Sequence, residues 1–183
     1  MSRRSAKHRH LRFPTAKALT RLLNRTDFLR IFVLDCALGQ ADSRQAIFAR
    51  DRQRGGFRAY LIDHGTMFGG REWVIRDLPR VAVYFDLAAY SVTNIADIYV
   101  DAIRRVEGNI REEDLYSAIA ELPADWFAAE DYRALDGLFK QIQRRRRNLE
   151  EILSGHWEEL RLSVDFERDA ALNELPQLAP NVC

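Results

Sequence analysis

Two short runs of alternating or apolar character, Gln45–Arg50 and Phe57–Ile62, flank a polar turn, Asp51–Gly56, that ends in two glycines. Strand-like runs around a glycine-bearing turn predict a β-hairpin. Ahead of it, Thr26–Leu38 is apolar nearly all round, with Phe28, Leu29, Ile31, Phe32, Val33, Leu34, Cys36, Ala37 and Leu38. Such a pattern predicts a helix at the centre of a fold. Asp35 is the one charge in its interior, and pairing with an Arg or with nearby backbone is the expected way to satisfy it. Ala16–Asn24 reads as a short helix before it.

Beyond the hairpin the pattern is helical. Leu78–Ala89 is a mixed apolar run read as a helix. Ile95–Val106 is a second, with Asn94 and Asp97 as its N-terminal cap and Gly108-Asn109 at its end. Ile110–Leu122 is a third, stopped near Pro123. The last long helix begins near Glu130. Its Tyr132, Leu135, Phe139, Ile142, Leu149 and Leu153 fall at steps of three, four and seven, one buried stripe. Gly155 is the expected cap. No β-α-β alternation occurs, so the expected class is mainly α (α+β), a helical body carrying one β-hairpin.

The 183 residues suit one domain. The expected division is a basic flexible leader at 1–12, a body at 13–155 and an acidic, partly disordered tail at 156–183. No apolar run reaches the length of a membrane span. The basic N-terminus lacks the apolar core of a secretory signal. The two cysteines, Cys36 in an apolar run and Cys183 at the last position, read as a buried thiol and a frayed end. A reducing, cytoplasmic setting is therefore expected.

Net charge is +1, but residues 1–30 hold nine Lys/Arg against one Asp. The expected state of that leader is a solvated segment, and nucleic acid is not the expected partner. The Arg144–Arg147 run could meet lipid headgroups, nucleic acid or the acidic tail. Pairing with Glu150 and Glu151 along the helix is the plainer expectation.

An antiparallel hairpin brings the start of its first strand beside the end of its second, so Asp42 and Asp63 are expected at one open end. Two neighbouring carboxylates repel unless they share a cation or a proton. An oxygen donor set without Cys points to Mg²⁺ or Mn²⁺ rather than zinc. Gln45 offers an amide oxygen on the same side. Phosphoryl transfer uses such a set, one Asp at the hydroxyl proton, a second Asp and an amide at the metal. Backbone capping by two hairpin-end aspartates is the alternative on residue types alone.

The stretch FVLDCALGQADSRQAIFAR followed by YLIDHGTMFGG resembles the catalytic segment of the HipA-like kinases, a family similar in fold to the phosphatidylinositol 3/4-kinases. LPADWFAAEDYRALDGLFKQIQRRRRNLEEIL resembles the end of that domain, and the likeness spans Phe13 to Ser154. The resemblance implies that Asp42 is the catalytic residue and Asp63 a metal ligand, with Gln45 standing where relatives place an Asn. It implies Mg²⁺ and ATP as cofactors. Arg44 would meet a substrate phosphate or serve as counter-ion to Asp42 or Asp63. His64 would support the catalytic loop or sit as a neutral core imidazole, the latter being the plainer expectation for a lone His. TMFGGREW is either a mobile activation-type segment or a loop pinned by Phe68 and Trp73.

A kinase also needs a glycine-rich strand turn and a strand-borne lysine over the phosphates. Lys7, Lys17 and Lys140 are the only lysines, and no glycine precedes Gly39. The expectation is the C-terminal lobe of a kinase without its nucleotide-clamping lobe, weak or inactive alone. The alternative is a non-enzymatic scaffold that binds a protein partner, or a second copy, through the surface that lobe would cover.

Overall fold

The structure, a computed structural model, describes residues 10–11, 19–77 and 81–156. Its centre is helix α1, Thr26–Leu38, which buries Phe28, Leu29, Phe32, Val33, Asp35, Cys36 and Ala37. Positive φ at Gly39 ends the helix. The N–H groups of Gly39 and Gln40 both return to the Asp35 carbonyl, and a side chain at Gly39 would strike Ile75.

The hairpin follows: β2, Gln45–Asp51, pairs antiparallel with β3, Gly56–Ile62, with Gln45 opposite Ile62 and Asp51 opposite Gly56. Phe48 and Ala59 face each other across the ladder and are buried against α1. A two-residue strand, β1, His10–Leu11, adds to the far edge of β2, with His10 opposite Ala49. The leader is thus tied to the sheet at these two residues. The outer edge of β3 is covered by residues 21–24. Leu23 and Arg21 exchange backbone bonds with Phe57, and the Asn24 amide takes both the N–H and the carbonyl of Ala59 at 2.9 Å. That side chain supplies what a neighbouring strand would.

Of the remaining helices, α2 is Ile95–Asn109, α3 Glu112–Ala120 and α4 Ala129–Arg147. Helix α2 packs Ala102, Ile103 and Val106 into the same core as α1. Leu135, Leu138, Phe139 and Ile142 of α4 form a second cluster, closed by Leu38, Phe68, Trp73 and Ile75. Rings knit the first core: Phe28 stacks on Phe48 at 6.3 Å and meets Tyr84 at 5.2 Å. Tyr90 accepts the Tyr84 N–H on its hydroxyl at 2.8 Å.

The mainly helical class with one hairpin is as expected, and α1 has the predicted bounds. Other elements differ. No helix spans 81–86. That stretch turns at Ala82, which has φ of 68°, and forms one parallel bridge, Arg44 to Tyr84, with Ala82 N–H on the Asp42 carbonyl and Arg44 N–H on that of Val83. A short 3-10 helix, Leu87–Tyr90, follows. Ala82 and Tyr84 are buried, an alternation of period two. Asn94 makes no side-chain cap and instead adopts a left-handed backbone. Gly155 does not end the last helix: α4 breaks at Asn148 and helix resumes over 149–156. Of the predicted stripe, Leu135, Phe139, Ile142, Leu149 and Leu153 are buried, while Tyr132 is exposed. The predicted 16–24 helix holds only at 19–20: residues 21–24 leave the helix because their backbone and the Asn24 amide bond the open edge of β3, and 16–18 lie outside the described residues. The predicted tail, with Cys183, lies outside the described residues beyond His156. Among the described residues no helix is long and apolar enough to cross a membrane.

Candidate functional site at the open end of the hairpin

The loop after α1 lies against the turn after β3. Ala41 N–H donates to the Thr66 carbonyl at 2.9 Å and Gly69 N–H to that of Gly39 at 2.8 Å. Gln40, buried, donates its amide N–H to the Asp63 carbonyl at 3.2 Å. The two predicted carboxylates therefore come from adjoining segments at one end of the hairpin, and both are exposed.

Their surroundings differ. The Asp63 carboxylate accepts from the Gln45 amide at 2.7 Å, so these two predicted residues are in contact. The Asp63 backbone has φ of 61°, a left-handed conformation that Asp tolerates at some cost and that clusters at functional turns. The Asp42 carboxylate accepts from its neighbour, Ser43 N–H, at 2.6 Å. None of the other four predicted side chains is among the hydrogen-bond or ion-pair partners of Asp42.

Arg44 is not the counter-ion of Asp42 or Asp63. Its side chain is fully buried and grips Asp35 with Nε to Oδ2 at 2.8 Å and Nη2 to Oδ1 at 2.5 Å. The reason is burial: a guanidinium removed from water needs a carboxylate removed from water with it. Asp35, the lone charge of α1, thus finds the arginine expected for it. Arg44 Nη1 also donates to the carbonyls of Ile62 and Asp63 at 3.0 and 3.3 Å and to His64 Nδ1 at 3.3 Å. His64 is therefore not a core imidazole. It is exposed and linked to Arg44, in the loop before β2, through a lone pair on Nδ1. Burial pushes the Asp35 carboxyl up to about 6, with the Arg44 hydrogen bonds and charge opposing it.

The segment Met67–Glu72 is pinned. Phe68 and Trp73 are half-buried on the second cluster, and Phe68, Gly69, Gly70 and Trp73 all have positive φ. At Gly69 a Cβ would run into the Val74 carbonyl, so only glycine fits there.

Asp63 and Gln45, in contact, and Asp42 on the adjoining segment carry oxygens of the hard type. Two buried oxygens beside it, Gln40 Oε1 and Thr66 Oγ1, have no hydrogen-bond partner among the described residues. Among those residues no group of three or more His, Cys, Asp or Glu is gathered to hold a metal. One or two carboxylates completed by water and phosphate oxygens is the usual manner for Mg²⁺, and the donor set fits it.

Sequence reading missed Gln40 and Thr66. A polar residue just past a helix-ending glycine was the only available signal for Gln40. The Cys36 thiol is buried as expected, and desolvation raises its pKa far above the ordinary range, which leaves it inert. No family model, no curated protein and no solved structure matches the chain.

Proposed function

We propose that the chain is a phosphotransferase-like domain of HipA-like type, with a Mg²⁺-phosphate site at the open end of the hairpin and weak or no transfer activity by itself. The observation that carries this reading is the Gln45–Asp63 contact at 2.7 Å, made at the turn whose sequence resembles that family's metal-binding motif. Asp63 and Gln45 would hold the ion. Asp42 would receive the proton of the attacking hydroxyl. Bound metal would neutralise phosphate charge and orient the transferring group. Among the described residues no strand carries a lysine, and no glycine precedes Gly39, so these residues alone would clamp ATP poorly, which is why activity alone is expected to be weak.

The test is thermal unfolding with millimolar Mg²⁺ or Mn²⁺, with and without ATP. An ion at ten times its Kd stabilises by about 1.4 kcal/mol, a rise of about 3–5 °C for a chain of this size. The rise should vanish in Asp63→Asn. Equal melting temperatures with and without metal and nucleotide would overturn the reading.

A second reading is a non-enzymatic scaffold that binds a protein partner or a second copy through an exposed surface. It is favoured by two exposed aromatic side chains, Trp126 in the α3–α4 connection at 68% exposure and Tyr132 in the first turn of α4 at 50%. Concentration-dependent sedimentation abolished by Trp126→Ser would support a self-associating surface.

A further inference from the structure

The tip of the hairpin carries charge that the opposite end does not use. Arg50, Arg52, Arg54 and Arg58 fall within nine positions, with Asp51 the only acid among them. The first three are exposed and Arg58 is half-buried. Among the described residues none of the four has an ion-pair partner.

The tip is built rather than loose. The Asp51 carboxylate accepts the N–H groups of Gln53 and Arg54, both at 3.0 Å. Gly55, with φ of 70°, returns its N–H to the Asp51 carbonyl at 3.0 Å. Arg21 reaches from the neighbouring segment to the Gly55 carbonyl and adds a fifth guanidinium. Sheet register brings in the leader: His10 stands opposite Ala49, one residue from Arg50. Residues 1–12 contain five Lys/Arg and no acid. His10–Leu11 thus joins the sheet beside the first arginine of the tip, about forty positions upstream of it.

We propose that this tip, with β1 beside it, binds the phosphate backbone of a nucleic acid. Every cation on the hairpin is Arg, whose planar fork matches phosphate oxygens two at a time. Arg58 and Tyr60 share the outward face of β3, and Tyr60 is 53% exposed, a ring on which an unpaired base stacks. The turn residues, Arg52, Gln53, Arg54 and Gly55, include no apolar side chain to enter a lipid layer, and this argues against a membrane. The surface lies about 20 Å along the strands from Asp63, so it stands apart from the phosphotransferase reading.

The experiment is fluorescence anisotropy of the full chain with a labelled 20-nucleotide single strand and a 20-base-pair duplex, from 50 to 300 mM NaCl. Affinity should fall linearly on a log–log plot. Arg52→Ala/Arg54→Ala should weaken binding at least tenfold at 50 mM and reduce the salt slope by about 2. Arg52→Lys/Arg54→Lys should retain the slope, and Tyr60→Ala should weaken the single strand more than the duplex. Unchanged melting of each variant checks the fold, and the Mg²⁺ response of Arg52→Ala/Arg54→Ala should equal that of the parent. Absent binding at 50 mM, or unchanged affinity in the alanine pair, would overturn the proposal. So would competition by polyglutamate of equal charge as effective as unlabelled DNA, which would assign the surface to an acidic protein. Preferential binding to phosphatidylserine vesicles would likewise overturn it.

Discussion

At the scale of single residues, Asp35 and Arg44 tie three parts of the chain together: the last turns of α1, the end of β3 and the Asp63–His64 turn. Removing one partner strands the other charge away from water. Asp35→Ala is expected to cost about 3–5 kcal/mol, and Asp35→Leu/Arg44→Met much less than the two single losses together, as read by urea denaturation. The pair also sets a pH dependence. With its folded pKa raised to about 6 from the ordinary 3.8, Asp35 holds a proton in the folded chain that the unfolded chain has released. Its contribution is therefore full below about 4 and is lost as pH rises through about 6. The parent should lose stability relative to Asp35→Leu/Arg44→Met between pH 4 and 6.5. A relative gain over that range would refute the assignment. The sequence announced that Asp35 needed a cation but not which one, because nine residues and a helix end separate it from Arg44.

At the scale of elements, the hairpin and α1 were legible because one shows period two around a glycine turn and the other an unbroken apolar surface. The stretch 81–86 was not legible. A short apolar run fits a buried helix or a buried extended segment equally well, and the backbone of 42–44 decided between them by accepting and donating hydrogen bonds. The candidate site was legible as far as Asp63 and Gln45, since hairpin pairing alone brings them to one end. The arginine tip was hidden for a different reason: its partner segment, β1, reaches the sheet from far upstream. The turn after β3 depends on glycine in a way that can be measured. Gly69→Ala combines a positive φ with a collision at the Val74 carbonyl. It should lower stability by about 1–3 kcal/mol and, if the metal site is as proposed, weaken the Mg²⁺ response with it.

At the scale of the whole molecule, the four arginines that end α4, Arg144–Arg147, do not act as one patch. Arg145 donates from Nε and Nη2 to the Cys36 carbonyl, at 3.0 and 2.6 Å, and pairs with Asp77 at 2.7 Å. That contact holds the Asp77 carboxyl below its usual pKa. Arg146 donates to the Glu107 carbonyl at 2.7 Å. One turn of α4 thus places positive charge on the C-terminal carbonyls of both α1 and α2, where helix dipoles favour it. The expected pairing with Glu150 and Glu151 gives way because open helix ends are the better acceptors. Arg145→Ala should cost about 2 kcal/mol, whereas Arg144→Ala, at an exposed position, should stay within about 0.5 kcal/mol. Equal losses in the two variants by urea titration would contradict this division of labour.

The bond from Arg145 to Cys36 also bears on synthesis. It spans 109 positions, so the first long helix is made well before the residue that closes its end. At translation speeds of about 5–20 residues per second, the nascent chain waits about 5–20 seconds with the Cys36 carbonyl uncovered. During that interval water, rather than the protein's own arginine, must satisfy that carbonyl, so the end of the helix closes only once Arg145 has been made.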